Sequence, residues 1–182
     1  MPPTLPIRSG PVRGLPTSTT AQNPVDYHRW PEQFPPLQHG VLEGAAAAGA
    51  KLIVMENLCV YGPHGGVPMG EDLPMRGQGL RSSTRIQMTN ELFAAHRSGK
   101  VRVASVRASD LFGPYVTESL VGERLFEPLL AGKPAQLFAN PDLAHSVSYI
   151  RDVGQALVTA GADDRALGQA WHAPNAPAMS LR

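Results

Sequence analysis

A chain of 182 residues, 42% hydrophobic and 17% charged, is long enough to bury one core and short for two domains. Sixteen Lys and Arg against fifteen Asp and Glu leave a net charge of +1. That balance supplies no field for a phosphate backbone or an anionic membrane, so neither nucleic acid nor a membrane is an expected partner. The single cysteine, Cys59, excludes an internal disulfide framework and a Cys-based zinc site, and suits a reducing compartment. No apolar run approaches the roughly 20 residues of a membrane helix, and the expectation is a soluble, cytoplasmic protein.

Nine of the eighteen prolines fall between Pro2 and Pro36. Residues 1–23 show neither a strand nor a helix period and read as a disordered, Pro-rich arm. They lack the apolar stretch of a secretory signal, and their prolines oppose the amphipathic helix of a transit peptide. From about Pro36, Leu37, Val41, Leu42 and Ala45 to Ala48 follow helical spacing, with Gly49 as the C-cap. Residues 51–55 (KLIVM) are short, apolar and β-branched, as in a buried parallel strand. A Gly/Pro-rich loop runs from Tyr61 to about Leu80. The spacing then predicts a helix over 81–96, with Ile86, Leu92 and Phe93 towards a core, ended by Ser98-Gly99, and a strand over 101–106. Further on come a helix over 118–130, short strands near 135–138 and 146–150, a helix over 152–161 and a strand over 169–172. Helix and strand alternating at this interval predict an α/β fold with right-handed crossovers, the tail forming a smaller lobe.

In an open parallel sheet, ligands bind beyond the carboxyl ends of the strands. The sequence places Glu56-Asn57-Leu58-Cys59-Val60-Tyr61-Gly62-Pro63 after the first strand and Arg107-Ala108-Ser109-Asp110-Leu111-Phe112-Gly113-Pro114 after the second. If the strands are neighbours, Asn57 and Arg107 to Asp110 open onto one cleft; both segments equally read as ordinary exits that turn on Gly-Pro.

Several segments agree in order and spacing with a known family: Val60-Tyr61-Gly62 after a buried strand, a helix containing Glu91-Leu92, VRVASVRASDLFGP from Val101 to Pro114, Ser148-Tyr149-Ile150-Arg151-Asp152-Val153, and Ala170-Trp171-His172. Together they resemble the extended short-chain dehydrogenase/reductases, the NAD-dependent epimerase/dehydratase family, over residues 24–182. The resemblance implies a partial Rossmann-type parallel sheet with flanking helices, NAD or NADP as cofactor, and a small C-terminal lobe. That lobe would shape a site for a small molecule, a nucleotide-linked sugar or another hydroxy or carbonyl compound. It also implies chemistry resting on a Ser or Thr, a Tyr that moves a carbinol proton, and a Lys four residues later that lowers the Tyr pKa. Arg107, Ser109 and Asp110 would then line the cofactor side of the cleft, and Tyr27, Tyr61 and Tyr149 the substrate side.

At the three catalytic positions the sequence departs from the family. Counting back from Tyr61 places Asn57 where the Ser or Thr stands; anchoring the helix on Glu91 places Gln87 at the Lys and Ser83 at the Tyr. Asn57 can still donate to a substrate oxygen, but Gln87 carries no charge and a serine hydroxyl is too weak an acid to replace a phenol. Arg81 and Arg85, one turn apart, are either a solvated surface pair or permanently charged donors, Arg85 reaching a ribose or phosphate. No Gly-rich phosphate cradle follows a strand: Gly77-Gln78-Gly79 lacks a third glycine, and Gly62 to Gly70 is interrupted by Pro63 and Pro68.

The expectation is an N-terminally truncated family domain over residues 24–182 that binds NAD(P) weakly by itself and exposes an unpaired sheet edge, prone to homo-oligomerisation or aggregation. The alternatives are a non-catalytic remnant or interaction module, and an atypical enzyme relying on Arg81 or Arg85. The six histidines show no metal-ligand spacing. Cys59 reads as an inert buried thiol, and Glu71 and Asp72 as loop acids. Tyr27-His28-Arg29-Trp30 reads as a pocket wall or as a helix staple at Trp30.

Overall fold

The computed structural model describes residues 16–24, 26–117, 119–135 and 140–180. In chain order its elements are β1 (Thr17–Thr20), α1 (Trp30–Ala47), β2 (Lys51–Asn57), α2 (Gly79–Arg97), β3 (Arg102–Ala108), β4 (Asp110–Phe112), α3 (Glu123–Leu130), β5 (Val147–Tyr149), α4 (Ile150–Ala162) and β6 (Ala170–His172). They fall into two compact units. The first holds the residues up to Arg107 with Leu157–His172, the second Ala108–Ala156 with the residues from Ala173 onward.

The first unit is a sheet of order β1-β2-β3-β6, with β1 parallel to β2 and β3 parallel to β6. Alternation along β2 sends Leu52 and Val54 to one face, where they pack with Val101 and Val103 against Leu42 and Ala45 of α1 and Leu92 of α2. Ile53 points to the other face, where the Gly161 backbone of α4 comes so close that a Cβ there would lie 3.0 Å from Thr17. In the second unit β4 and β5 pair in parallel, Asp110 opposite Val147 through Phe112 opposite Tyr149. No helix among the described residues is long and apolar enough to cross a membrane.

Four expectations are corrected. The disordered arm does not extend to residue 23, because Thr17–Thr20 form β1, in register with Lys51–Val54. The β-branched threonines complete the β2 ladder as soon as Pro16 is passed, and Pro16 O accepts the Lys51 N–H at 2.8 Å. Strand β1 thus lies along β2 over these residues, while residues 1–15 lie outside the described ones. Helix α1 starts at Trp30 rather than near Leu37, since Trp30, Phe34 and Gln38, spaced by one turn, are all buried and carry the helix through Pro31, Pro35 and Pro36. On α2, Ile86 is not in the core: the buried residues are Ser82, Thr84, Arg85, Met88, Thr89 and Leu92. The helix over 118–130 begins at Glu123. The strand placed near 135–138 falls mainly on residues outside the described ones.

Candidate functional site

In the first unit the carboxyl ends of β2, β3 and β6 carry a buried polar array. The β2 face that packs the apolar core through Leu52 and Val54 ends on Glu56, 2% exposed. Its Oε1 accepts from the Thr89 hydroxyl of α2, and its Oε2 accepts from Ser105 Oγ at 2.5 Å and Arg107 Nε at 3.3 Å, both from β3. Arg107 Nη1 donates to Tyr61 Oη at 2.7 Å, and Nη2 reaches Met75 Sδ at 3.5 Å. A guanidinium only donates, so the Tyr61 proton points to His172 Nε2, 2.8 Å away, and the neutral imidazole carries its own proton on Nδ1. The His172 backbone N–H donates to Glu71 Oε1 at 3.0 Å, tying the long loop to β6.

Each buried polar group of the array has a partner, and the Glu56 and Arg107 charges compensate inside it. Burial pushes the Tyr61 phenol above its ordinary pKa, against the pull of Arg107. Burial also holds His172 below the ordinary histidine value; Glu71 opposes this and Arg107 adds to it. The unfolded chain therefore takes up a proton at residue 172 at a pH where the folded chain does not. Stability should fall as pH drops through the ordinary histidine range and level off once the folded imidazole protonates as well. Urea midpoints measured between about pH 7.5 and about pH 5.5 should show this slope, and His172→Gln should flatten it. An unchanged slope in that variant would assign the acid limb to other groups.

The other expected site residues are distributed as follows. Asn57 is committed to structure: its Oδ1 accepts the Cys59 N–H at 2.8 Å and caps the turn after β2. Ser83 and Gln87 lie on the outward face of α2, lining a shallow groove with Ile86, Asn90, Glu91 and Ala94, and Gln87 Nε2 donates to Glu91 Oε1 at 3.0 Å. Arg85 is buried, its guanidinium 4.2 Å from the Phe34 ring centroid and 5.1 Å from that of Trp30. Arg81 lies 4.3 Å over Tyr27. Tyr27 itself is exposed at its edge and stacks on Trp30 at 4.8 Å.

Arg107 and Tyr61 belong to the first unit, while Ser109, Asp110 and Tyr149 belong to the second. There Ser109 N donates to Ser148 Oγ at 2.9 Å, Ser109 Oγ donates to Ser146 O at 2.5 Å, and Asp110 Oδ2 meets His145 Nε2 at 2.8 Å. Tyr149 packs on Phe112, with ring centroids 5.3 Å apart.

Glu56, Thr89 and His172 were not among the expected site residues. A signal for Glu56 exists, a carboxylate inside an otherwise apolar strand with an arginine near the end of the next strand; none marks His172. Cys59 is half-buried. Burial pushes its thiol pKa up, while Arg85, Arg81 and a hydrogen bond from Ser82 pull it down.

The family model for the NAD dependent epimerase/dehydratase family matches residues 37–171. Solved structures of the same fold include a double mutant of dTDP-glucose 4,6-dehydratase from Streptomyces venezuelae with NAD bound, at 17% identity and a TM-score of 0.76, covering 94% of this chain and 55% of that one. UDP-glucuronic acid 4-epimerase from Bacillus cereus in complex with NAD matches at 18% identity and a TM-score of 0.71, covering 80% of this chain and 47% of that one. UDP-N-acetylglucosamine 4-epimerase from Methanobrevibacter ruminantium M1 matches at 14% identity and a TM-score of 0.69, covering 80% and 48%. The chain spans about half the length of these structures. No curated protein sequence matches it. At these identities the likeness shows the fold, a Rossmann-like parallel sheet with flanking helices.

Proposed function

Because the chain belongs to the NAD-dependent epimerase/dehydratase family, we propose that it handles a hydroxy or carbonyl compound of the sugar-nucleotide kind, without the family's Tyr–Lys proton transfer and with little affinity of its own for NAD or NADP. The observation that carries this reading is the Glu56–Arg107–Tyr61–His172 array, which lies where open α/β sheets bind ligands and holds a phenol and a neutral imidazole in hydrogen-bond contact. The chain's own contribution is positional: Arg107 and Glu56 fix the Tyr61 ring, and Glu71 fixes the strand that carries His172.

The residues present do not fit the dinucleotide's pyrophosphate. A phosphate cradle needs glycines whose missing Cβ leaves room for the ligand. Gly62 and Gly77, after β2, instead face each other, and a Cβ on Gly62 would lie 2.8 Å from Gly77 Cα. The segment from Ala21 to Asn23 after β1 has no glycine at all. Ser83 and Gln87, outward on α2, offer neither a phenol nor a charge to a reacting oxygen.

The test is calorimetric titration of the chain with NAD+, NADP+, UDP-glucuronic acid and dTDP-glucose. Heat is expected with a sugar nucleotide, and only weak binding with either dinucleotide. Micromolar affinity for NAD+ or NADP+ would contradict the cofactor part of the reading, and no heat with any sugar nucleotide would remove the substrate part. The outward position of Ser83 and Gln87 also favours a non-catalytic binding role, which sugar-nucleotide turnover in the presence of NAD+ would eliminate.

A further inference from the structure

We propose that Arg85 and Arg81, on the first turns of α2, form a binding site for a phosphate-bearing anion against the aromatic wall of Tyr27, Trp30 and Phe34. Among the described residues three cations are buried: Lys51, Arg85 and Arg107. Lys51 is paired with Asp164 and Arg107 with Glu56. The Arg85 side chain, in a residue 8% exposed, has no ion pair or hydrogen bond among the described residues, and its Nε is fully buried without an acceptor. Its environment is apolar. The rings of Phe34 and Trp30 lie 4.2 Å and 5.1 Å away, and burial is the main influence pulling its pKa down. The carboxylate whose field reaches it, Glu56, is already engaged by Thr89, Ser105 and Arg107.

A buried charge without a partner is costly, and one kept in that state is explained by a partner that comes from outside. Contact with the ring faces is a cation–π attraction and takes up none of the guanidinium's N–H donors. Of the three guanidinium nitrogens only Nε is among the buried atoms without a partner, and 8% of the residue is exposed. Arg81 lies one turn earlier, over Tyr27 at 4.3 Å and Trp30 at 5.7 Å, with no ion pair among the described residues. Two like charges one turn apart repel unless an anion lies between them. Gln78, the residue capping α2, makes no side-chain bond to the first-turn N–H groups, so these add to the positive field. An arginine fork matches the geometry of phosphate oxygens, and the sugar-nucleotide reading above supplies a diphosphate as its source. The proposal rests on that reading only for the source.

The probe is inorganic pyrophosphate added to the full chain at constant ionic strength, read by melting temperature and by the rate of iodoacetamide attack on Cys59. That thiol is the chain's single cysteine, and its pKa, raised by burial, is held back from rising further by both arginines. The wild type should melt higher and alkylate more slowly with pyrophosphate. In Arg85→Met the apparent affinity should fall by about tenfold or more. No response of the wild type at about 10 mM, or an equal response in Arg85→Met, overturns the proposal. If Arg85→Met does not fold, Arg81→Gln is judged by the same criterion. Pyrophosphate binding without binding of UDP-glucuronic acid upholds the anion site and removes the sugar-nucleotide source. UDP-glucuronic acid binding equally well to wild type and Arg85→Met does the reverse.

Discussion

Glu56→Ala is expected to destabilise the chain by about 3–5 kcal/mol, the range found when one partner of a buried ion pair is removed. Arg107, 4% exposed, would keep its charge with no anion at Nε. The Ser105 hydroxyl would lose its acceptor, whereas the Thr89 hydroxyl can fall back on Arg85 O at 2.9 Å. The damage would travel, because Arg107 also positions Tyr61, and Tyr61 positions His172. Glu56→Gln, which keeps the volume and one acceptor oxygen, should cost less than Glu56→Ala. The double variant Glu56→Leu/Arg107→Met, which removes both charges, should recover a large part of the loss, since an apolar replacement of a whole buried pair is often neutral. Urea denaturation of the four chains checks this. A Glu56→Ala chain within about 1 kcal/mol of wild type would show that the carboxylate is not the anion compensating Arg107.

The elements were legible in the sequence because they are written as periods: the β-branched run of β2, the helical spacing of α1 around Leu42 and Ala45, and the left-handed glycines Gly49 and Gly99 that end the two helices. The site was less legible for a physical reason. Hydrophobic phase locates the buried face of a helix only where that face is apolar, and α2 buries Ser82, Arg85 and Thr89, the last of them on the Glu56 carboxylate. Reading Ile86 and Phe93 as inward follows hydropathy and misses that carboxylate. The meeting of Tyr61 with Arg107 and His172 joins residues 46 and 111 positions apart, and it depends on the sheet order β2-β3-β6, which spacing does not encode. Strand β1 was hidden by its neighbours: the prolines before Thr17 dominate the composition of a window that contains four strand residues.

Gly77→Ala is expected to loosen the loop over the array and to cost about 1–3 kcal/mol, the usual penalty for forcing a methyl into a packed site. Gly77 N–H donates to Val60 O at 2.9 Å, closing the loop against the end of β2. A Cβ at residue 77 would lie 2.4 Å from the Cys59 carbonyl oxygen and 2.6 Å from Ser82 Cβ. Neither atom can yield cheaply, since one is backbone in a capped turn and the other is fixed to α2. The far side is closed as well, because Gly62, with φ +71°, presses its own backbone on Gly77. Relief therefore means moving the loop, and the loop carries Met75 on Arg107 and Glu71 on the His172 backbone. Loss of those two contacts should speed tryptic cleavage after the exposed Arg76, a readout separate from global stability. Gly40→Ala provides the opposite expectation: it sits inside α1 with nothing within 4 Å of the added methyl, so it should gain about 0.5–1 kcal/mol from helix propensity. Equal cleavage rates at Arg76 in wild type and Gly77→Ala would mean that the loop is held by something other than the Gly62–Gly77 contact.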